Sequence, residues 1–222
     1  MNRVSIIQGI IDRKHARNYL EIGVQSGDTF LRLRAAKKMA VDPRFLIPWT
    51  AKFNWLRWNW YNIFNEYFEM TSDRFFEQHA PLLGKRGLDV VFVDGLHTYE
   101  QSRKDIEHAL RYLHEDGVIL IDDCNPPSER AANPIKPNDN KAWTGDVWKS
   151  IAYLRSARPD LDIFVLDCVC GLGVLTRKPA NDKLNFTEEE IDRMTYQDFD
   201  KDRIHILNLK KMDYFNEFIE SL

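Results

Sequence analysis

The sequence predicts an α/β protein: a doubly wound, mostly parallel seven-stranded sheet that ends in an antiparallel hairpin. Three observations carry that expectation. Short apolar runs alternate with stretches of helical periodicity along the 222 residues, as in a parallel sheet covered by helices on both faces. The last two runs, "LDIFVLD" and "GLGVLTR", are joined only by Cys168-Val-Cys170. That linker is too short for a helical crossover, so the two must pair antiparallel. Finally, several runs end in glycine or carboxylate, at the edge where open α/β sheets bind ligands.

Length and composition bound the rest. A chain of 222 residues is large enough for one domain with a substantial core, so residues 1–222 are read as a single domain. Apolar residues make up 44%, yet no run approaches the ~20 residues of a membrane span. The start, "MNRVSIIQGIIDRKH", lacks the small-residue cleavage site of a secretory signal. Its Val4, Ile7, Ile10 and Ile11 mark one face of a helix. A net charge of −3 gives no general pull towards nucleic acid. Three cysteines cannot build a disulfide framework, and Cys168 and Cys170 are too close for a usual zinc pair. The expected compartment is the cytoplasm, and a homo-oligomer is compatible with everything above.

In chain order, strands are expected at 18–22, 39–41, 66–70, 88–93 and 118–121, followed by the hairpin. "NYLEIGVQSGDTF" puts Glu21, Gly23 and Gly27 where the first strand turns, and a helix is expected to follow. Glycines there let the backbone approach a ligand, and a helix N-terminus offers free N–H groups to an anion. Asp42 ends the second strand, at a distance that suits an acid holding ribose hydroxyls. The spacing E-x-G-x-x-x-G is not the G-x-G-x-x-G of dinucleotide folds. After the fourth strand, Thr98 opens a helix with Gln101 as its capping-box partner, and Ile106, Ala109, Leu110 and Leu113 form the inward stripe. Gly117 falls in that helix's C-cap region. A further helix over 146–156 buries Val147, Ile151 and Leu154.

Asp94 ends the fourth strand, and Asp122 and Asp123 end the fifth. Adjacent strands lie roughly 4.8 Å apart, so these carboxylates should converge. Two unit charges ~5 Å apart repel by roughly 3 kcal/mol at an effective dielectric of 20. Such a cluster raises its own pKa values or recruits a cation, and oxygen ligands suit Mg²⁺, with Mn²⁺ or Ca²⁺ as alternatives. The bland alternative is that Asp122 caps a helix and Asp94 holds cofactor N–H groups, with no metal.

Glu21-Ile-Gly23-Val-Gln-Ser-Gly27, Asp42-Pro43, "FVDGLHTYE" and "DGVILIDD" together resemble the class I S-adenosylmethionine-dependent methyltransferases. Within them the chain is most similar to the methyltransferase family 24 type, which contains the metal-dependent O-methyltransferases of macrolide sugars. The resemblance covers roughly residues 15–176. It implies a Rossmann-like methyltransferase fold in which Gly23 and Gly27 flank the methionine part of S-adenosylmethionine and Asp42 holds its ribose. Ser72 and Asp73 stand at the third-strand position beside the adenine. The resemblance also implies a metal set of Asp94, Asp122 and Asp123. Cys124 aligns with the asparagine ligand of catechol-type relatives, so Asp122 must supply the third ligand. His97 takes the place of the general base, His in the sugar enzymes and Lys in the catechol type. Imidazole near its ordinary pKa suits removal of a metal-acidified hydroxyl proton. The alternative is a helix-entry histidine bonded to backbone.

Two segments interrupt the alternation. Residues 43–68 hold Trp49, Trp55, Trp58 and Trp60 among Lys52, Arg57 and several asparagines. Packing against the sheet edge is the leading reading, with a substrate lid, a partner-subunit surface or a membrane face as alternatives. Residues 125–141 read as a long loop, after which Trp148 is core and Trp143 lines an acceptor pocket. Residues 187–222 form a polar C-terminal extension ending in an amphipathic helix. The function expected is metal-assisted O-methylation of a small-molecule or glycan acceptor, a sugar or polyol before a phenol. An NAD-dependent oxidoreductase and a non-catalytic scaffold are the competing classes.

Overall fold

The strands are β1 (Asn18–Ile22), β2 (Lys37–Asp42), β3 (Asn65–Glu69), β4 (Leu88–Val93), β5 (Leu113–Ile121), β6 (Asp162–Leu166), β7 (Leu172–Thr176) and β8 (Leu209–Lys210). In the computed structural model, which describes residues 2–222, they form one sheet ordered β3-β2-β1-β4-β5-β7-β6-β8. Strands β1 to β5 pair in parallel, and β7 runs antiparallel to both β5 and β6. The expected α/β fold and terminal hairpin are therefore present. The strand order reverses between β1 and β4, which opens a crevice at their C-terminal ends.

Helices α1 (Arg3–Lys14), α2 (Trp49–Trp58), α3 (Ser72–Gln78), α4 (Ala80–Arg86), α5 (Tyr99–Tyr112), α6 (Trp148–Ala157), α7 (Glu188–Arg193), α8 (Tyr196–Leu207) and α9 (Tyr214–Glu220) surround the sheet, with a 3-10 turn at Trp60–Phe64. Alternation along the central strands feeds two cores. Leu20, Val91, Val93, Ile119 and Ile121 face one side with Ile106 and Leu110 of α5 and Ile151 of α6. Tyr19, Val90, Phe92, Val118 and Leu120 face the other with Ile6, Ile7 and Ile10 of α1 and Phe215 and Phe218 of α9. Each of these buried aliphatic or aromatic side chains contributes roughly 1.5–3 kcal/mol.

Several expectations need correction. The sheet has eight strands rather than seven, because the C-terminal extension adds β8 in parallel beside β6. That extension also buries Ile191, Phe199, Ile206 and Leu207, so it is part of the core. Gly117 lies inside β5, not at a helix C-cap, because α5 passes directly into the strand at Leu113. Thr98 does cap α5 by accepting the Gln101 N–H, but the reciprocal arm of the capping box is missing. The Gln101 side chain turns instead to Ser72, Asp73 and Asp105.

The largest correction concerns the passage from β1 to β2. No helix forms there; residues 23–36 run as turns and irregular backbone. Helix-free backbone leaves carbonyls that must find donors when buried. Lys38, buried on β2, donates to the Phe30 and Leu33 carbonyls at 2.7 and 2.8 Å and to Asn62 Oδ1 at 2.6 Å. Asn59 Nδ2 donates to the Leu31 and Leu33 carbonyls, and Asn62 Nδ2 to Leu31. Part of the tryptophan segment thus braces the first crossover through its asparagines.

Candidate active site

A cavity of about 870 Å³ opens at the crevice between β1 and β4, within the size range of small-ligand sites. Glu21, Gly23, Asp42, Ser72, Asp73, Asp94, His97, Asp122 and Asp123 all line it. Gly27 does not; its φ of +78° turns the chain behind the wall.

Gly23 carries the closest approach. Its φ is +86°, and a Cβ there would lie 1.8 Å from the Asp94 carbonyl oxygen. Glycine is therefore demanded by the fold itself, and any side chain at Gly23 would displace the β1–β4 junction. Asp42 accepts the Gln25 N–H at 2.8 Å and the Arg44 N–H at 2.7 Å. A carboxylate has about four lone-pair sites, so two remain for a ligand. Gln25 adopts a left-handed φ of 45° to reach it. Beneath them Glu21 is buried and accepts the Tyr19 hydroxyl at 2.5 Å. Burial lifts the Glu21 carboxyl to about 8. At the third-strand end Gln101 Nε2 ties Ser72 Oγ, Asp73 Oδ1 and Asp105 Oδ1 together at 3.0–3.2 Å. Burial likewise lifts Asp105 to about 6.

Asp94 and Asp122 extend the ladder, their N–H groups donating to Ile22 and Val93. Asp123 follows with a left-handed φ of 61°, which aspartate tolerates better than most residues. Between them stands His97, its Nε2 3.2 Å from Asp94 Oδ1 and its Nδ1 3.0 Å from Asp123 Oδ2. Burial disfavours the imidazolium, but the bonds to Asp123 and Asp94 outweigh it and raise His97 to about 10. With no cation on them, the two carboxylates favour the protonated ring.

Two supports were not legible in the sequence. Arg3, the first residue of α1, bonds to Asp122 and places Nη1 3.3 Å from Asp94 Oδ2. Burial, then Asp94 and Asp123, push Asp122 up to about 7 against the pull of Arg3. Gly145 lies against the His97 backbone at φ +60°, where a Cβ would sit 1.6 Å from the His97 carbonyl oxygen. Beside it the Trp143 ring stacks on the imidazole at 5.2 Å, and Asp146 accepts the Tyr99 N–H at 2.7 Å. Trp143 lines the cavity and Trp148 is core, as read from the sequence. Only Gly145 left a trace there, as the glycine of "TGD"; Arg3 left none.

The donor set accommodates a cation in part. Asp94, His97 and Asp123 each offer a ligand atom, all within 4.8 Å of one another. Asp122, expected to be the third carboxylate of the set, instead faces Arg3.

Residues 20–124 match the family model described as a methyltransferase domain. No curated protein matches the chain. Among solved structures it is similar to the O-methyltransferase from Bacillus cereus in complex with SAH, at 16% identity over 80% of this chain and 82% of that one, TM-score 0.59. It is similar to cofactor-bound Rv0187 from MTB, at 17% identity over 81% and 82%, TM-score 0.59. TomG from Streptomyces achromogenes, involved in tomaymycin synthesis and solved with SAM, aligns at 17% identity over 78% of both chains, TM-score 0.57. The fold is the Rossmann-like methyltransferase fold, and the resemblance to class I methyltransferases is borne out. Among the described residues no helix is long and apolar enough to cross a membrane.

Proposed function

We propose that the protein is an S-adenosylmethionine-dependent O-methyltransferase acting on a small acceptor hydroxyl, a sugar or polyol before a phenol, with help from a divalent cation. One observation carries the reading: nucleotide-type determinants on β1 and β2 and the Asp94–His97–Asp123 cluster share a single cavity. S-adenosylmethionine would supply a methyl group on sulfonium, and Mg²⁺ or Mn²⁺, held by Asp94 and Asp123, a Lewis acid for the hydroxyl.

The chain's own residues do the rest. Asp42 offers its two free lone pairs to ribose hydroxyls, and Ser72 and Asp73 border the adenine. The Gly23 turn leaves room for the methionine part. With the ring neutral, His97 would accept the acceptor hydroxyl proton as that oxygen attacks the methyl group. The ring reaches that state by releasing its second proton to solvent, and a cation on Asp94 and Asp123 would favour the release because it would compete for the same two carboxylates. Trp143 covers one side of the imidazole and limits water there. These contributions are positioning and electrostatics.

The test is incubation with methyl-labelled S-adenosylmethionine and a panel of sugars, polyols and catechols, with and without EDTA. Label on an acceptor oxygen, lost in EDTA and restored by Mg²⁺ or Mn²⁺, is the expected result. Calorimetry that registers NADH but not S-adenosylhomocysteine would overturn the reading.

A further inference from the structure

Helix α2 has no buried residue along its ten positions, although an isolated helix of that length is marginal in water. Trp49 is 77% exposed and Trp58 86%, and Phe53, Trp60, Ile63 and Phe64 continue the apolar surface. Monomeric proteins rarely present so many large apolar side chains together without a partner. The asparagines of this segment brace the first crossover and Trp55 packs partly against the core, whereas Trp49, Trp58 and Trp60 stay exposed.

Charge narrows the choice of partner. From Pro43 to Asn65 the chain has no acidic residue, only Arg44, Lys52 and Arg57, in a molecule of net charge −3. Beside α2 lies a groove of about 440 Å³ walled by Arg32, Arg34, Trp55, Trp58, Ser5 and Gln8, again without a carboxylate. Among the described residues none of Arg32, Arg34, Arg44, Lys52 and Arg57 forms a salt bridge. A second copy of this chain, docked about a two-fold axis, would bring like charges together with no acid to pair them. Aromatic rings rimmed by unpaired arginine and lysine match another surface, the interface of an anionic bilayer. There indoles sit at headgroup level and cations meet lipid phosphates.

We propose that the α2 face docks on anionic phospholipid bilayers, its indoles entering the interface and the Arg32–Arg34 groove taking a lipid phosphate. The inference goes beyond methyl transfer and does not depend on it. Arg44 and Leu46, a few residues before α2 in the chain, line the cavity wall.

The experiment is cosedimentation of the full chain with vesicles of phosphatidylcholine mixed with phosphatidylglycerol, and with phosphatidylcholine alone. Binding to the mixed vesicles that weakens with salt is expected. Trp49→Ser/Trp58→Ser and Arg32→Gln/Arg34→Gln should each lower partitioning by about tenfold or more, on the scale of about 1 kcal/mol per basic residue. Circular dichroism and calorimetry with S-adenosylhomocysteine should match wild type, which separates a docking failure from failure of the enzymatic reading. Absence of binding, equal partitioning into neutral vesicles, or variants that bind like wild type would overturn the proposal. So would a dimer in sedimentation velocity that the tryptophan variants dissolve.

Discussion

The passage from β1 to β2 and the passage from β4 to β5 connect neighbouring parallel strands by opposite means. The second uses α5, fourteen residues that satisfy their own backbone and present Ile106, Ala109 and Leu110 to the core. The first uses turns, and its carbonyls take their donors from Lys38, Asn59 and Asn62. A helix makes a crossover self-sufficient. A turn-built crossover depends on distant side chains, and it is the one whose Val24, Gln25, Ser26, Asp28 and Thr29 line the cavity. The difference places the molecule's sensitive points in different kinds of residue.

The sharpest way to break the comparison is Lys38→Met. It leaves the Phe30 carbonyl without this donor and takes one of two donors from the Leu33 carbonyl and from Asn62 Oδ1, and a buried group left unpaired costs roughly 1–3 kcal/mol. Chemical denaturation should show a loss of about 2–3 kcal/mol. A loss below about 1 kcal/mol would mean the brace is incidental.

At the entry to the second crossover the expected damage is chemical. His97→Ala should keep the fold and bind S-adenosylhomocysteine nearly as wild type, yet turn over roughly 10²–10⁴-fold more slowly. Wild-type turnover in the alanine variant would reduce His97 to a residue that closes the strand.

A smaller effect separates the crossovers by pH. Glu21 stands at the start of the first, raised from 4.5 to about 8 by burial. The folded state then binds more protons than the unfolded one, so this group's stabilisation is complete below about 4.5 and fades as pH rises through about 8. Thermal melts of wild type should lose stability relative to Glu21→Gln across that window. Parallel curves would show that Glu21 titrates normally.

The mildest change is Thr98→Ala, which removes the N-cap of α5 and should cost about 1 kcal/mol. The self-sufficient crossover should absorb it without loss of cofactor affinity by calorimetry. A drop in affinity beyond about threefold would show that the two crossovers are not independent.

What the sequence made legible follows the same division. The bounds of β1 and β4 were readable to the residue, because a short apolar run closed by a glycine or aspartate is a local signal. For the same reason ten site residues could be placed at one sheet edge; nine of them line the cavity and Gly27 does not. The helix expected after Gly27 was illegible as a set of turns, since Phe30, Leu31, Leu33 and Ala35 are buried in a pattern that neither period describes. Arg3 reaches Asp122 across 119 residues of sequence, and no spacing rule encodes such a contact. That is why the sequence offered Asp122 as a free third carboxylate, whereas in the fold it pairs with Arg3.

The loop before α6 is closed like a purse. The Ala131 carbonyl alone accepts the Thr144 N–H, the Gly145 N–H and the Thr144 hydroxyl, and Arg130 ties in Ala142 and Asp139. Gly145 then seats this knot against His97. Residues 133–141 therefore hang from a fixed neck, yet they stay in touch with the base: the Asn133 carbonyl accepts the Trp143 Nε1–H, and Lys136 lies over the indole that stacks on His97. The loop tip and the imidazole thus share one indole, so a change of residue at the tip is felt at the ring beneath it.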